Sequence, residues 1–362
     1  MSTALRVVIA GGGTGGHLYP GIAVARELLA RRPGSTVTFA GTEKGIEFRV
    51  VPREGFELDT IRSGGLKGKA IADRARGASL IPLGMRDAWR IVSRRRPDLV
   101  IGVGGYSSGP VVLTAALRGV PTMLLEQNAV PGLTNRMLAR VVKAAAVTYE
   151  STRSFFGSKA FVSGNPVRAE FVDRQEAAGA HESGLHLLIF GGSQGAHAIN
   201  AAMVAAAPEL ARLGVPLRIT HQTGERDVEM VRQGYAAAGL TATVEAFLYD
   251  MGVRLGQADL VVCRAGATTL AELTAAGKPS ILIPLPTATD DHQRRNAEAL
   301  ASTGAADVML QQDATGPALA ARIASLVHDQ GARTRMSAAA RALARPDAAR
   351  VIVDHAVALA GR

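Results

Sequence analysis

Two glycine-rich turns, each placed between an apolar strand and a helix, constrain the fold of this 362-residue chain most strongly. The first, GGGTGGH over 11–17, follows the apolar run 5–10, and the second, GGSQGA over 191–196, follows the run 185–190. A glycine turn that leads into a helix presents unpaired backbone N–H groups and the positive end of the helix dipole, which favour an anion. The two turns therefore predict two similar α/β halves that face a shared anionic ligand, most simply a diphosphate.

The rest of the chain alternates short Val-, Ile- and Leu-rich runs with helical segments, which indicates parallel sheets covered by helices. The motif GNPVR over 164–168, followed by the polar run 173–184, interrupts this alternation. We therefore predict an α/β fold of two Rossmann-like parallel-sheet domains that face each other across a cleft. Their expected bounds are 1–164 and 165–345, with a C-terminal helix at about 346–362 that crosses back to the first domain.

The net charge of +10 is unevenly distributed. Residues 1–165 hold 23 Lys and Arg against 11 Asp and Glu, whereas the remainder holds 18 against 20. The first half is thus expected to meet an anionic membrane, an acidic substrate or nucleic acid. Nucleic acid is the least favoured partner, because the basic stretch 62–96 offers only Trp89 for base stacking. The single cysteine, Cys263, excludes an internal disulfide and suits a reducing compartment.

His17 is the candidate catalytic residue. Gly11, Gly13 and Gly16 match the spacing of a dinucleotide fingerprint, but no acidic residue ends the second predicted strand, which disfavours an NAD-dependent oxidoreductase. A histidine in the first turn of a helix lies at its positive end, which favours the neutral ring that accepts a proton near pH 7. The alternative is that His17 only caps or packs; for His197, after the second turn, packing is the expected role.

The second half supplies the candidate phosphate and ribose contacts. Ser193 and Gln194 in the second turn offer donors for a diphosphate, to which Arg168 could add a guanidinium. Thr269-x-x-Glu272 has the spacing of a capping box, so Glu272 is either a helix cap or a ribose ligand. The polar loop 284–297 suits recognition of sugar hydroxyls. No Asp-x-Asp pair occurs in the chain, so we expect no metal on the diphosphate.

Six motifs, in this order, resemble those of the MurG family, the bacterial enzymes that transfer N-acetylglucosamine from UDP-N-acetylglucosamine to lipid I. They are GGTGGH (12–17), GGYSSGP (104–110), EQNAVPGLTN (126–135), GNPVR (164–168), GGSQG (191–195) and CRAGATTLAE (263–272). The resemblance implies a GT-B fold, an inverting transfer without metal or other cofactor, and a position at the cytoplasmic face of the cell membrane. A UDP-N-acetylglucosamine epimerase on the same scaffold is the alternative.

The resemblance also implies roles for individual residues. The residues that face the sugar and the acceptor are Thr14, Gly15, Gly16 and Asn128. Arg168, Ser193 and Gln194 meet the diphosphate, the backbone around Leu248 meets uracil, and Gln293 contacts the N-acetylglucosamine. The residues that cradle phosphate and ribose are Ala267, Thr268, Thr269, Leu270, Ala271 and Glu272. Around Pro286 to Asp291 the sequence departs from the family pattern, so the register at Gln293 is the least specific part of the match.

A predicted helix at about 79–95 combines apolar and basic side chains. Its apolar residues are Leu80, Ile81, Leu83, Met85 and Trp89, and the arginines about them are Arg86, Arg90, Arg94, Arg95 and Arg96. Such a mixture suits the surface of an anionic membrane, although an ordinary amphipathic helix packed on a sheet has the same pattern. We predict a peripheral membrane contact here, because the lipid-anchored acceptor implied by the resemblance requires one.

Overall fold

The computed structural model of the protein describes residues 4–64, 80–168, 171, 184–192 and 195–361. The chain divides into two compact units, Met1–Arg168 with Arg345–Arg362, and Ala169–Ala344. Each unit contains one sheet whose paired strands all run parallel. The prediction of two parallel-sheet α/β units is confirmed.

The first unit is built on a seven-stranded sheet. Its strands are β1 (Arg6–Gly11), β2 (Thr36–Gly41), β3 (Glu57–Thr60), β4 (Leu99–Gly104), β5 (Thr122–Glu126), β6 (Ala144–Val147) and β7 (Ala160–Val162), in the order β3-β2-β1-β4-β5-β6-β7. Its helices are α1 (Gly15–Arg31), α2 (Glu47–Arg53), α3 (Ile81–Arg95), α4 (Ser108–Leu117) and α5 (Leu133–Leu138). The strand order reverses between β1 and β4, and such a switch point opens a crevice at the carboxyl ends of the strands.

The second unit repeats this plan with six strands. They are β8 (Leu185–Phe190), β9 (Leu217–Gln222), β10 (Ala242–Glu245), β11 (Leu260–Cys263), β12 (Ser280–Leu282) and β13 (Asp307–Val308), in the order β10-β9-β8-β11-β12-β13. Its helices are α6 (His197–Leu210), α7 (Val228–Ala237), α8 (Met251–Gln257), α9 (Ala267–Ala276), α10 (His292–Ala301), α11 (Gly316–His328) and α12 (Gln330–Leu343). The switch point lies between β8 and β11, beside the second glycine turn.

The aliphatic composition explains both cores. Strands β4 and β8 are buried along their whole length, as expected for central parallel strands covered on both faces. The last helix, α13 (Ala348–Leu359), belongs to the first unit, where Ile352, Val353 and Ala356 join the core that contains Leu18 and Ile22 of α1. Among the described residues, no helix is both long enough and apolar enough to span a membrane.

Candidate active site

In the first glycine turn, a carboxylate of the protein itself, that of Glu47, accepts a backbone hydrogen bond. Glu47 is buried, and its carboxylate accepts hydrogen bonds from the Gly13 N–H (2.7 Å) and the Thr42 N–H (2.8 Å). The Thr42 hydroxyl donates a third bond to the same carboxylate, at 2.9 Å. Sequence reasoning assigned an external diphosphate to both turns and missed Glu47, because no pattern marks a lone acidic residue at the start of a short helix.

His17 is the third residue of α1 and is held on one edge and one face of its ring. Its Nδ1 atom lies 3.1 Å from Oε1 of the buried Gln127, which follows β5. The ring also lies against Gly104, where a built Cβ would come within 2.8 Å of Nδ1. Gly104 has a φ of +97°, a conformation that glycine adopts without strain. The position of this imidazole thus depends on α1, which follows β1, on Gly104 at the end of β4 and on Gln127 after β5.

Glu126 organises the loop that carries Asn128. Its buried carboxylate accepts hydrogen bonds from the Asn128 N–H (3.0 Å) and side-chain amide (3.2 Å). The other carboxylate oxygen accepts from the Gly132 N–H at 3.0 Å and from the Asn135 side chain at 2.9 Å. Asn128 therefore lies at the same edge of the sheet as Gln127, where the strands end. The Glu126 carboxylate holds the loop on which Asn128 lies.

Four further predicted residues of the first unit lie near the start of α1. Thr14 precedes the helix, and Gly15 and Gly16 are its first two residues. Arg168, at the end of the GNPVR motif, places its guanidinium 4.8 Å from the ring centroid of Tyr19, also on α1. The structure thus brings Arg168 to the same helix as His17, a proximity that the sequence did not predict.

Gln222, at the end of β9, forms a hydrogen bond to the second glycine turn. The Gln222 side-chain amide donates to the carbonyl oxygens of Gly192 (2.9 Å) and Ala246 (3.2 Å). Gly195 has a φ of +72°, and a Cβ built there would lie 1.8 Å from the Thr223 carbonyl oxygen, so no larger residue fits. Ser193 and Gln194 lie outside the described residues.

A polar network links this turn to the sheet beneath it. His197, the first residue of α6, lies 3.0 Å from the buried carboxylate of Asp227, and its side chain is 56% exposed. The expectation that His197 packs is therefore wrong. Burial raises the pKa of Asp227, but hydrogen bonds from Asn200 and His197 outweigh burial and hold the pKa below its usual value. Burial also lowers the pKa of His221 to about 3, so His221 is neutral.

Helix α9 shows that Glu272 is not a helix cap. The helix begins at Ala267, and its N-cap residue is Gly266, which has no side chain; Thr269 is therefore the third residue of the helix and not its N-cap. Thr268 lies in the first turn, where leading N–H groups have no intrahelical acceptor. Leu270 and Ala271 follow it, and the Leu270 N–H already donates to the Gly266 carbonyl oxygen at 2.9 Å. Glu272 is buried, and its charge contributes to raising the pKa of the neighbouring Cys263 thiol after burial itself. The capping-box interpretation is wrong.

The last predicted contacts of the second unit are Gln293, the second residue of α10, and Leu248, on the loop between β10 and α8. The Gln293 Oε1 atom accepts a hydrogen bond from the Leu285 N–H at 3.0 Å, which fixes the side chain across the polar loop. Asp290 and Asp291 both have left-handed backbone conformations, with φ of 56° and 54°. Non-glycine residues in this conformation are uncommon and concentrate at functional sites. Leu248 itself is buried.

In the described ranges, no group of three or more His, Cys, Asp or Glu side chains is arranged to hold a metal ion. Residues 7–147 match the Glycosyltransferase family 28 N-terminal domain, and residues 186–352 match the Glycosyltransferase family 28 C-terminal domain.

The relatives are similar along nearly their whole length. A transferase of Anaeromyxobacter sp. (strain K), named UDP-N-acetylglucosamine--N-acetylmuramyl-(pentapeptide) pyrophosphoryl-undecaprenol N-acetylglucosamine transferase, is 48% identical, covering 99% of this chain and 94% of its own. The protein of the same name from Myxococcus xanthus (strain DK1622) is 46% identical over 98% and 93%. The crystal structure of Acinetobacter baumannii MurG matches with a TM-score of 0.79 at 35% identity, covering 97% of this chain and 98% of that one. The chain belongs to the MurG family.

Some solved structures with low sequence identity share the fold of this MurG-family chain. The UDP-GlcNAc 2-epimerase of Neisseria meningitidis, bound to UDP-GlcNAc, has a TM-score of 0.69 at 13% identity, covering 96% of this chain and 98% of that one. This likeness shows a shared fold and no more, whereas the similarity to the named transferases extends along nearly the whole sequence.

Proposed function

We propose that this protein transfers N-acetylglucosamine from UDP-N-acetylglucosamine to the C4 hydroxyl of the muramyl sugar of lipid I, forming lipid II. The observation that carries the proposal is the near-full-length similarity to transferases of that name. The alternative epimerase would need the same donor but no lipid-anchored acceptor.

The proposed reaction is a single displacement with inversion. The acceptor hydroxyl oxygen forms a bond to the anomeric carbon, the bond from that carbon to the diphosphate oxygen breaks, and His17 takes the hydroxyl proton. Holding the two reactants in line replaces a bimolecular encounter, and a positioned base adds to the rate. UDP leaves as an anion, which backbone N–H groups and helix N-termini stabilise without a metal ion.

The proposed binding roles follow the two units. Thr14, Gly15, Gly16 and Asn128 serve the acceptor and the transferred sugar, and Gln293 contacts N-acetylglucosamine. Arg168, Ser193, Gln194 and the start of α9 serve the diphosphate, while the backbone at Leu248 serves uracil. The Glu47 carboxylate occupies the Gly13 N–H, so we assign the diphosphate of UDP to the second glycine turn and not to the first.

Thermal stabilisation by ligand tests the donor assignment. A ligand that binds only the folded protein raises the melting temperature in proportion to the logarithm of its concentration. UDP and UDP-N-acetylglucosamine should raise it in the presence of a chelator, and NAD should not. Stabilisation by NAD, or by UDP only after magnesium or manganese is added, would contradict the proposed donor site.

Glu272→Ala should weaken UDP binding about 10- to 100-fold, because the ribose loses one charged hydrogen-bond acceptor. The measurement is isothermal titration with UDP. Glu229→Ala, on the exposed surface of α7, is the matched control and should bind UDP normally. If Glu272→Ala lowers the melting temperature while UDP affinity stays at the control value, Glu272 is structural and not a ribose ligand.

We also propose that α3 is part of a membrane-facing surface, defined by Ile81, Leu83, Trp89, Leu117 and Arg118. Ile81, Trp89 and Leu117 are 48%, 55% and 71% exposed. The Arg118 guanidinium stacks over the Trp89 ring at 4.6 Å, which joins α3 to the end of α4. Exposed apolar side chains beside cations suit insertion at the lipid headgroup level.

Only some of the predicted arginines on α3 are available to lipids. Arg94 and Arg95 both form ion pairs with the buried Asp59. Exposed Arg86, Arg90 and Arg96 remain as the candidate lipid contacts of α3. Four more basic residues precede this helix in the sequence and lie outside the described residues: Lys67, Lys69, Arg74 and Arg76. One side of α3 packs against the protein, as the alternative of an ordinary amphipathic helix expects. Ala88, Ile91 and Val92 are buried on that side.

Replacing Ile81, Leu83 and Trp89 together by Ser should weaken binding to vesicles of anionic lipid at least tenfold, since three apolar contacts are lost. Wild-type binding should also weaken as salt rises. Vesicle co-sedimentation measures both effects, and Phe155→Ser with Met230→Ser is the control for loss of exposed apolar residues. A wild-type protein that ignores anionic vesicles would contradict the membrane proposal.

A further inference from the structure

We propose that Gln127 is a positioning residue that fixes the tautomer of His17, so that Nε2 carries the lone pair. The inference rests on the proposed function, in which His17 is the base. It begins with the orientation of the Gln127 amide, because a carboxamide offers an acceptor at one end and donors at the other.

The amide orientation is set by Val103. The Gln127 Nε2 atom donates to the Val103 carbonyl oxygen at 3.1 Å, and a carbonyl oxygen can only accept. Oε1 of Gln127 must therefore point away from Val103, and it lies 3.1 Å from His17 Nδ1. Gln127 is 2% exposed, so bulk water cannot readily replace the hydrogen bond at either end of the amide.

The tautomer follows from that orientation. Oε1 is an acceptor, so the hydrogen bond requires a hydrogen on Nδ1 of His17. In a neutral imidazole that carries hydrogen on Nδ1, the other nitrogen, Nε2, has a lone pair. The ring lies where a Cβ on residue 104 would come within 2.8 Å of Nδ1, so glycine at this position leaves room for the imidazole in this hydrogen bond. The half-buried imidazole therefore presents an unprotonated nitrogen, as a general base requires.

A neutral amide suits this role better than a carboxylate would. A carboxylate in the same place would stabilise the imidazolium, whereas an amide orders the ring without adding charge. Thus Gln127 fixes which nitrogen accepts the proton and places no negative charge beside the ring. In a base of this kind, loss of the orienting partner affects turnover more than substrate binding.

The direct test is the ¹⁵N spectrum of the full-length protein with labelled histidine, in which His17→Asn identifies the His17 signals. The two nitrogens of a neutral imidazole differ in chemical shift according to which one carries hydrogen. Wild type should show a protonated Nδ1 and an unprotonated Nε2 at His17. Gln127→Leu should give a mixture of both tautomers, and Gln127→Glu, which retains the acceptor, should keep the hydrogen on Nδ1. A wild-type His17 protonated on Nε2 overturns the proposal.

Kinetics give a second, independent readout. Gln127→Leu should lower kcat about 10- to 100-fold with KM for UDP-N-acetylglucosamine within about twofold. Ser35→Ala is the matched control for loss of a buried side-chain hydrogen bond, since the Ser35 hydroxyl accepts from the Leu5 N–H at the opposite end of β1. It should lower stability and leave kcat unchanged.

The outcomes separate this inference from the proposed function. If wild type transfers the sugar and His17→Ala is inactive, but Gln127→Leu keeps the wild-type tautomer and kcat, only the role of Gln127 is wrong. If wild type transfers no sugar, the proposed function is wrong, while the spectrum still reports whether Gln127 fixes the tautomer.

Discussion

Replacing His17 by Ala should lower kcat for sugar transfer at least a hundredfold, with KM for UDP-N-acetylglucosamine changed by no more than about twofold. A positioned general base contributes roughly this factor, and it acts on the acceptor hydroxyl rather than on the donor. The geometry supports this expectation, because the ring is held by Gln127 on one edge and faces Gly104. Steady-state kinetics with UDP-N-acetylglucosamine and a soluble lipid I analogue measure both constants.

His328→Ala is the control for the loss of a histidine from the surface at the end of a helix. It should leave kcat and KM at their wild-type values. If His17→Ala instead loses donor affinity and melting temperature together while kcat is retained at saturating substrate, His17 packs or binds, and the base lies elsewhere.

Replacing Glu47 by Ala should lower the free energy of unfolding by about 2–4 kcal/mol. The substitution removes a buried, charged acceptor of three hydrogen bonds and leaves the Gly13 and Thr42 donors without it. Glycines at 12, 41 and 45 all approach this carboxylate so closely that a Cβ there would collide with it. Losing Glu47 therefore also loosens the turn that precedes His17. Urea denaturation followed by circular dichroism measures the loss.

Glu57→Ala is the matched control, because the Glu57 carboxylate is exposed and pairs with Arg95 at the surface. Such pairs contribute about 0–1 kcal/mol. Equal destabilisation by Glu47→Ala and Glu57→Ala would contradict the view that Glu47 holds the first glycine turn.

The fold was predictable where local pattern and burial agree. Strands β1 and β8 are mostly apolar runs that lead into a glycine turn, and the structure places them at 6–11 and 185–190, at or next to their predicted positions. Three elements had no such signal. Strand β7 has only three residues, α8 contains Gly252 and Gly256, and α12 buries only Ala340, so it has no apolar stripe to detect.

The candidate site was predictable only in part, for a related reason. Residues adjacent to the glycine turns, such as His17, could be found because the turn itself marks them. Glu47, Gln127 and Gln222 act through contacts with residues that are 34, 110 and 30 positions away in the chain. Such contacts depend on strand order, which the sequence pattern does not specify. The helix-cap interpretation of Glu272 failed because the capping-box spacing puts the N-cap at Thr269, whereas the N-cap of α9 is Gly266.

The most direct measurement of the central claim is product analysis after incubation with UDP-N-acetylglucosamine labelled in the sugar, with and without a lipid I analogue. With acceptor and chelator present, we expect equal amounts of free UDP and of a disaccharide lipid whose new linkage is inverted relative to the donor. Without acceptor, the labelled sugar should remain on UDP as N-acetylglucosamine. Appearance of a labelled sugar epimer without acceptor, or no transfer to lipid I, would contradict the assignment of this protein as the lipid I transferase.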